Sequence, residues 1–320
     1  MSPRRSLAAL LLATTLSLGA ASVPAQAPAP LTVKNLGWRF VEFIDATQGL
    51  PLDQRVARFK AEVAVEFPAF YLPPPNADAE RKAKWDTLLA NSIEKFPDIR
   101  AEYERKLRAF DGDLARNLAR FREMFPGFTP AHSIYLLHSL NRMDGGTREF
   151  DGKPYLIFGA DMMARVHKGW ASETPFFHHE LFHVLHEPYL GACEAIWCGL
   201  WTEGLAVHAA ATLNPDATEP ELLLDFPAGM AGATRARQAE SFKALLAQLD
   251  LVDDDIAGEL FSTRRAPAGG DLPLRRGYYL GWLVAKEIGR THDLPNLARM
   301  PASQVKPLLR QAVEKLARGG

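Results

Sequence analysis

Apolar side chains recur every three or four positions between residues 31 and 128, which is the spacing of one face of an α-helix. Two turn-rich stretches, at 72–76 and 111–113, interrupt the pattern and separate successive helices. We therefore predict an N-terminal helical region over residues 28–128, whose apolar faces pack into a core. The recurring positions are Val56, Phe59 and Val63, then Ile99, Tyr103, Leu107 and Phe110, then Leu114, Leu118 and Phe121.

The pattern changes after residue 129. Short apolar runs at 132–140 and 154–160 predict two strands, and the turn-rich stretch 141–152 joins them. Beyond Asp161 the chain again predicts helices, apart from residues 262–276, which are rich in glycine, proline and arginine. Helices that flank a small antiparallel or mixed sheet make an α+β fold, with residues 129–320 as its second region.

The first 27 residues have the order of a secretory signal peptide. Arg4 and Arg5 precede an apolar run over residues 7–21, and small residues and prolines follow it, with a short Ala/Pro linker over 24–30. The run is shorter than the roughly 20 residues of a membrane-spanning helix, although an uncleaved membrane anchor stays open as an alternative. We predict an exported protein, periplasmic or secreted, whose mature chain has no membrane span.

The amino-acid composition limits the classes of molecule that the protein is expected to bind. The chain has 320 residues, of which 47% are apolar and 23% charged, as in a folded globular protein. Lys and Arg total 37 against 38 Asp and Glu, so no net field points to nucleic acid or to an anionic membrane surface. Two cysteines exclude a disulfide scaffold and a cysteine-rich metal site. Five of the nine histidines lie within residues 178–208, which is the unusual feature.

One predicted helix carries four of these histidines. Thr174 is its predicted N-cap and Pro175 its first helical residue. The helix is expected to end at residue 186 or 187, because Pro188 disfavours helical geometry in the residue before it. His179 and His183 project from one face, since four residues rise about 6 Å along a helix. Glu180 stands one position on, rotated by about 100°. This H-E-x-x-H spacing predicts Zn²⁺ on the two histidines, with Glu180 as the general base.

A catalytic zinc site needs a third protein ligand and one open position. Glu203 follows His183 by twenty residues, in the segment Trp-Thr-Glu-Gly-Leu-Ala at 201–206. Residues 201–213 predict a helix rich in small side chains, which allows close approach to the histidine helix. Gly204 costs about 1 kcal/mol relative to alanine inside a helix, so it indicates a close backbone contact. We predict Glu203 as the third zinc ligand; a glutamate capping an ordinary helix is the alternative.

At these two motifs the chain resembles the gluzincin metallopeptidases. The closest resemblance is to the bacterial family of predicted zinc-dependent proteases whose biological roles are mostly unassigned. That family is also similar at residues 277–281, a Gly-Tyr-x-x-Gly on a late helix. The resemblance implies a zincin-like catalytic domain over residues 129–320, with an edge strand bordering the cleft, an active-site helix and a glutamate-bearing helix. It also implies a zinc-dependent peptidase that acts on a peptide or protein substrate.

The chain departs from the gluzincin pattern at one position. Many gluzincins have aspartate four residues after the glutamate ligand, where it orients a zinc-binding histidine. This chain has Val207 there, so the resemblance leaves the partner of His179 or His183 unassigned.

Other metal sites fit the residues less well. A metzincin requires glycine at 186 and histidine at 189, where the chain has His186 and Tyr189. A di-iron bundle requires two E-x-x-H motifs, and residues 180–183 are the only one. A two-histidine, one-carboxylate iron site has the same ligand types but leaves Glu180 without a role. A zinc hydrolase of non-peptide substrates and a non-catalytic periplasmic binding or assembly protein stay open as alternative functions.

Further predictions concern the surroundings of the ion. Tyr278 is the candidate donor to the oxyanion of the reaction, with Tyr279 or His208 as substitutes. Packing in the last helices is the alternative for Tyr278, and a structural role is the alternative for His208. The strand over residues 155–160 is expected to bind an extended substrate along its edge.

The connection between the two helices and a later loop carry the remaining candidates. In an oxidising compartment Cys193 and Cys198 are expected to bridge and stiffen the chain before the glutamate, which requires an irregular segment. His186 is either a neighbour of the zinc ligands or an ordinary core or surface histidine. Arg275 and Arg276 either meet a substrate carboxylate or belong to a solvated loop. The sequence does not indicate an oligomeric state.

Overall fold

The computed structural model describes residues 33–267 and 269–319. The predicted signal peptide, residues 1–27, lies outside the described residues. The prediction of an α+β fold with a small sheet is confirmed. The helices are α1 (Gly37–Ala46), α2 (Leu52–Glu62), α3 (Pro68–Tyr71), α4 (Ala79–Lys95), α5 (Arg100–Met124), α6 (Ala160–Val166), α7 (Thr174–Leu190), α8 (Ile196–Leu213), α9 (Met230–Ala236), α10 (Gln238–Gln248), α11 (Asp254–Phe261), α12 (Gly277–Ile288), α13 (Leu294–Leu297) and α14 (Ala302–Ala317).

The sheet is mixed and has the strand order β1-β2-β4-β3. Its strands are β1 (Val33–Asn35), β2 (Ser133–Leu137), β3 (Gly145–Phe150) and β4 (Lys153–Gly159). Both β1 and β4 run parallel to β2, whereas β3 runs antiparallel to β4 along one edge. The two strands predicted from sequence, β2 and β4, are therefore parallel neighbours.

Two strands were not predicted. β3 lies in the stretch expected to be a turn-rich connection, because its glycines and polar residues lack the apolar alternation of a strand. β1 is three residues long and pairs with residues about a hundred positions later. This pairing places the N-terminal helical region and the second region on one sheet.

Helix α5 packs the N-terminal region against the rest of the molecule. The ring of Phe110 lies 5.0 Å from that of Phe158 in β4 and 5.7 Å from that of Phe177 in α7. All three rings are fully buried, and each such burial contributes about 1.5–3 kcal/mol. The sheet and the histidine-bearing helix therefore share one core. Among the described residues, no helix has both the length and the apolar character to cross a membrane.

Helix α7 extends further than predicted. It begins at Thr174, with Pro175 in the first turn and Glu173 at the N-cap position, and it continues through Pro188 to Leu190. A proline removes only one helical hydrogen bond, and here it falls in the last turn, where this loss is small. Gly191, with φ of 72°, ends the helix instead.

Helix α8 begins five residues before the predicted start. The backbone amides of Ile196 and Trp197, which have no partner within a helix, donate to the carbonyls of Leu251 and Leu249 at 2.9 Å. These long-range bonds allow the helix to begin before Trp201, which the local sequence does not indicate.

Candidate metal centre

Helices α7 and α8 bring three potential ligands together. The Nε2 atoms of His179 and His183 lie 2.9 Å apart. Oε2 of Glu203 lies 3.3 Å from Nε2 of His179 and 3.6 Å from Nε2 of His183. In the part of the chain that the structure describes, this is the one group of three such side chains whose ligand atoms all lie within 4.8 Å.

The spacing of the three donor atoms fits a tetrahedral zinc ion. A tetrahedron with zinc–ligand bonds of 2.0–2.1 Å has edges of about 3.3–3.4 Å. The observed edges of 2.9, 3.3 and 3.6 Å bracket that value, and the donors are of the types that zinc prefers. Oε2 of Glu203 is buried and has no hydrogen-bond partner among the described residues. The residues therefore fit the ion that the sequence implies, with one coordination position open.

The ionisation of the ligands is consistent with cation binding. Burial and the neighbouring charge on His183 lower the pKa of His179. Burial opposes ionisation of Glu203, but the charge on His183 and the closeness of both imidazoles hold its pKa well below 4.5. Burial opposes protonation of His183, yet Glu203 raises its pKa. Glu203 is therefore a carboxylate at neutral pH, which is the form that binds a cation.

Glycines hold α8 in place against α12. A Cβ added to Gly204 would lie 2.1 Å from the carbonyl carbon of Gly281, and one added to Gly281 would lie 2.4 Å from the carbonyl oxygen of Leu200. The close backbone contact predicted for Gly204 exists, and the helix that it contacts is α12. The two glycines thus bring Glu203 and the Tyr278 segment to the same site.

Glu180 lies beside the ligands and against the edge strand. Its side chain is 4% exposed, and its Oε2 has no hydrogen-bond partner among the described residues. A Cβ added to Gly145 of β3 would lie 2.7 Å from Cδ of Glu180 and 2.7 Å from Cζ of Phe176, so a larger residue there would displace the carboxyl group or the ring. Burial raises the pKa of Glu180 to about 8. Without a cation nearby, Glu180 therefore holds a proton at neutral pH.

His179 lacks a partner for its second nitrogen. Its Nδ1 is buried, and none of the described residues forms a hydrogen bond with it. Val207, which replaces the aspartate of the gluzincin pattern, is fully buried in a small apolar cluster with Leu222 and Tyr279. No other described side chain takes over the orienting role of that aspartate for His179.

The structure separates Tyr278 from its two predicted substitutes. The Tyr278 ring is stacked near that of His179, with centroids 6.3 Å apart and an interplanar angle of 19°. Burial raises the pKa of the Tyr278 phenol, so it remains a hydrogen-bond donor at neutral pH. Tyr279 instead accepts a hydrogen bond from Arg235, and His208 packs against Gly289.

His186 lines the cleft but is anchored elsewhere. Its Nδ1 lies 2.9 Å from the carbonyl oxygen of Ala298, and burial lowers its pKa to about 4. It is therefore a neutral imidazole that ties α7 to the segment after α13, and among the described contacts it touches neither His179 nor Glu203.

His179, His183 and Glu203 line a cleft of about 340 Å³. Residues 145–148 of β3 form one wall, since β3 is the edge strand. The prediction that residues 155–160 present their edge to a substrate was wrong, because β4 is paired on both sides. Arg275 lines the cleft, whereas Arg276 is buried and faces Glu259.

The predicted disulfide is present. Cys193 and Cys198 are bonded across the irregular segment that leads into the first turn of α8. Cys193 also lines the cleft. The bond therefore restrains the start of the helix that carries Glu203.

A buried charge cluster behind the cleft was not predicted. His167 Nδ1 lies 2.6 Å from Oε1 of Glu173, and its Nε2 lies 3.2 Å from Oδ2 of Asp144, which lines the cleft. Lys106 also contacts Glu173, at 2.6 Å. Burial opposes protonation of His167, but these carboxylates raise its pKa. The four residues of this cluster lie far apart in the sequence, so no local motif predicts it. The only sequence signal is the position of Asp144 directly before two glycines, which indicates a turn.

No protein-family model, curated protein or solved structure matches this chain. The resemblance to gluzincins therefore rests on the sequence motifs alone.

Proposed function

We propose that this protein is a zinc-dependent metallopeptidase of the gluzincin type, with a zincin-like arrangement of sheet and helices. The observation that carries the proposal is the triangle of donor atoms from His179, His183 and Glu203, with a carboxyl group beside it that is not a ligand. A structural zinc site has four protein ligands and needs no general base. Glu180 therefore favours a hydrolase over a non-catalytic zinc protein.

Each residue of the site has a definite task in peptide hydrolysis. A zinc ion, when bound, supplies positive charge that polarises a carbonyl, makes water a stronger acid and favours the carboxylate form of Glu180. Glu180 accepts a proton from the attacking water at its unpartnered Oε2 and returns it to the nitrogen of the leaving amine. The phenol of Tyr278 donates a hydrogen bond to the oxyanion.

The edge strand supports a peptide as the substrate. β3 pairs with β4 on one side only, so its other edge offers backbone donors and acceptors along the cleft. An extended peptide that adds to this edge would pass Glu180, which contacts β3 at Gly145. The disulfide supports an oxidising compartment, as expected for an exported enzyme.

Metal analysis combined with a peptide library tests the proposal. We expect about one zinc per chain in the wild type and in Glu180→Gln, with cleavage by the wild type only and loss of activity upon chelation. Glu123→Gln, an exposed glutamate on α5, is the matched control and should cleave normally. Chelator-insensitive cleavage, or equal cleavage by Glu180→Gln, would reject the proposal. Zinc binding without peptide cleavage would favour a non-peptide substrate or a binding protein, and iron would favour an oxygenase.

A further inference from the structure

Arg275 stands in the cleft without an acidic partner. Its Nη1 donates to the carbonyl oxygens of Leu223 at 2.7 Å and Phe226 at 3.3 Å. Its Nε and Nη2 donate to none of the described residues, and it forms no salt bridge within residues 33–267 and 269–319. The Nε–Nη2 edge of a guanidinium is one of the edges that bind a carboxylate through two parallel hydrogen bonds. Arg275 therefore has a vacant binding edge beside the candidate metal centre.

The guanidinium is fixed close to the ligands. Its Cζ lies 3.7 Å from the ring centroid of Tyr278, and that ring lies 6.3 Å from the ring of His179. The guanidinium carbon is therefore no more than 10 Å from the centre of the His179 ring. Stacking on tyrosine and two carbonyl contacts leave the side chain little freedom, so little entropy is lost when it binds a ligand.

The backbone that carries Arg275 adopts an unfavourable conformation. Arg275 has φ of 63° and Leu223 has φ of 61°, both in the left-handed region that non-glycine residues avoid. The Nη1 bond from Arg275 joins these two residues, and the Arg275 amide donates to the carbonyl of Glu259 at 2.7 Å. Unfavourable backbone conformations persist where the surrounding structure enforces them, and they concentrate at functional sites.

A second arginine without a carboxylate partner among the described residues lines the same cleft. Arg148 lies on β3, is exposed, and donates only to the carbonyl of Thr147 among the described residues. Arg100, by comparison, is paired with Asp45. Arg148 and Arg275 therefore offer two guanidinium groups to an anionic group of a substrate, in a cleft that four acidic residues also line.

We propose that Arg275 binds a carboxylate of the substrate, so that the enzyme prefers peptides with an acidic group near the cleaved bond. This inference rests on the proposed peptidase function and adds a substrate class to it. An extended peptide advances 3.3–3.6 Å per residue, so the acidic group lies within about three residues of that bond. The carboxylate is either an aspartate or glutamate side chain or the terminal carboxylate of the peptide.

Four forms of one cleaved peptide distinguish these sources. The four peptides combine two changes. The acidic side chains within about three residues of the cleaved bond are either kept or replaced by their amides, and the C-terminus is either free or amidated. We expect the wild-type kcat/KM to fall about 10- to 100-fold on the form that lacks the recognised carboxylate. Arg275→Gln should cleave all four forms at the low rate, and Arg275→Lys should discriminate by an intermediate factor. Arg299→Gln, an exposed arginine that also donates to a carbonyl, should behave as wild type.

A binding measurement separates this inference from the peptidase proposal. Fluorescence anisotropy of the labelled acid and amide peptides with Glu180→Gln requires no turnover. We expect tighter binding of the acid form, and loss of that difference in Glu180→Gln/Arg275→Gln. If the wild type cleaves no peptide, the peptidase proposal fails, whereas this binding difference still supports the carboxylate site. Equal binding or equal cleavage of acid and amide forms by protein with an intact Arg275 overturns the inference, whether or not Arg275→Gln folds.

Discussion

Replacing Gly204 with alanine should separate two helices and weaken the metal centre. The added Cβ would lie 2.1, 2.3 and 2.4 Å from the carbonyl carbon, carbonyl oxygen and Cα of Gly281. Ordinary contacts begin at 3.4 Å, so α8 and α12 must move apart by about 1.3 Å. All three atoms belong to the backbone, and therefore no change of side-chain rotamer relieves the overlap.

The magnitude follows from two opposing effects. Alanine favours the helix by about 1 kcal/mol over glycine. Overpacking of a filled interior costs about 1–3 kcal/mol, and more where the backbone itself must shift. We expect a net loss of at least about 2 kcal/mol in the free energy of unfolding. Because Glu203 precedes Gly204, the shift also moves the proposed third zinc ligand. Zinc affinity should therefore fall about 10- to 100-fold, as for other losses of ligand support.

Urea unfolding in the presence of a chelator, followed by tryptophan fluorescence, measures the loss in the free energy of unfolding. Competition with a zinc indicator measures the loss of zinc affinity. Gly232→Ala on α9 is the matched control, because nothing lies within 4 Å of its added Cβ. That control should gain about 0.5–1 kcal/mol. An unfolding midpoint for Gly204→Ala equal to that of the wild type, with unchanged zinc affinity, would refute the reasoning.

Three further substitutions test the surroundings of the site. Gly145→Ala should displace Glu180 and lower kcat about 100-fold without loss of zinc, which activity and metal assays on one preparation measure. Because the pKa of His167 is raised above 6.5, its charge stabilises the fold fully below that pH, and this contribution is lost as the pH rises through the folded-state pKa. The stability difference between wild type and His167→Gln, from urea unfolding across this range, should therefore shrink towards alkaline pH. Replacing Cys193 and Cys198 with serine should cost about 2 kcal/mol, as expected for a loop of six residues, and calorimetry under identical conditions measures it.

These substitutions have simple controls. Gly270→Ala adds a Cβ with nothing within 4 Å and should leave kcat unchanged. Metal loss from Gly145→Ala would contradict the assigned contact with Glu180. A stability difference for His167→Gln that grows with pH would show that the buried histidine is neutral. Adding a reductant to the serine variant should have no further effect on its stability.

Helix geometry explains why the histidine pair was predictable. His179 and His183 are four residues apart, so any fold that makes this segment helical places both on one face, with Glu180 beside them. The helical periodicity of 3.6 residues per turn is a property of the helix itself and does not depend on the rest of the molecule. Gly204 signalled a close helix contact for a similarly local reason, since glycine is unfavourable in a helix without one. Which helix it contacts depends on distant residues, and only the structure shows that this helix is α12.

The sheet shows where local patterns fail. β3 is rich in glycine and polar residues, and it becomes a strand because β4 pairs with it and α7 packs behind Gly145. The three residues of β1 carry no detectable periodicity and depend on β2 for their conformation. Only the completed sheet shows that β3, and not β4, borders the cleft.

Arg275 and Arg276 illustrate the same division. The two side chains are adjacent and chemically identical. From the sequence, both were expected either to meet a substrate carboxylate or to belong to a solvated loop. A left-handed backbone at Arg275 directs it towards Leu223 and the cleft, whereas Arg276 turns inward to Glu259. Local spacing specifies residues that one helix carries, because the helical repeat is the same in every protein. Contacts between segments some fifty residues apart arise from the packing of the whole core, which no short stretch of sequence encodes.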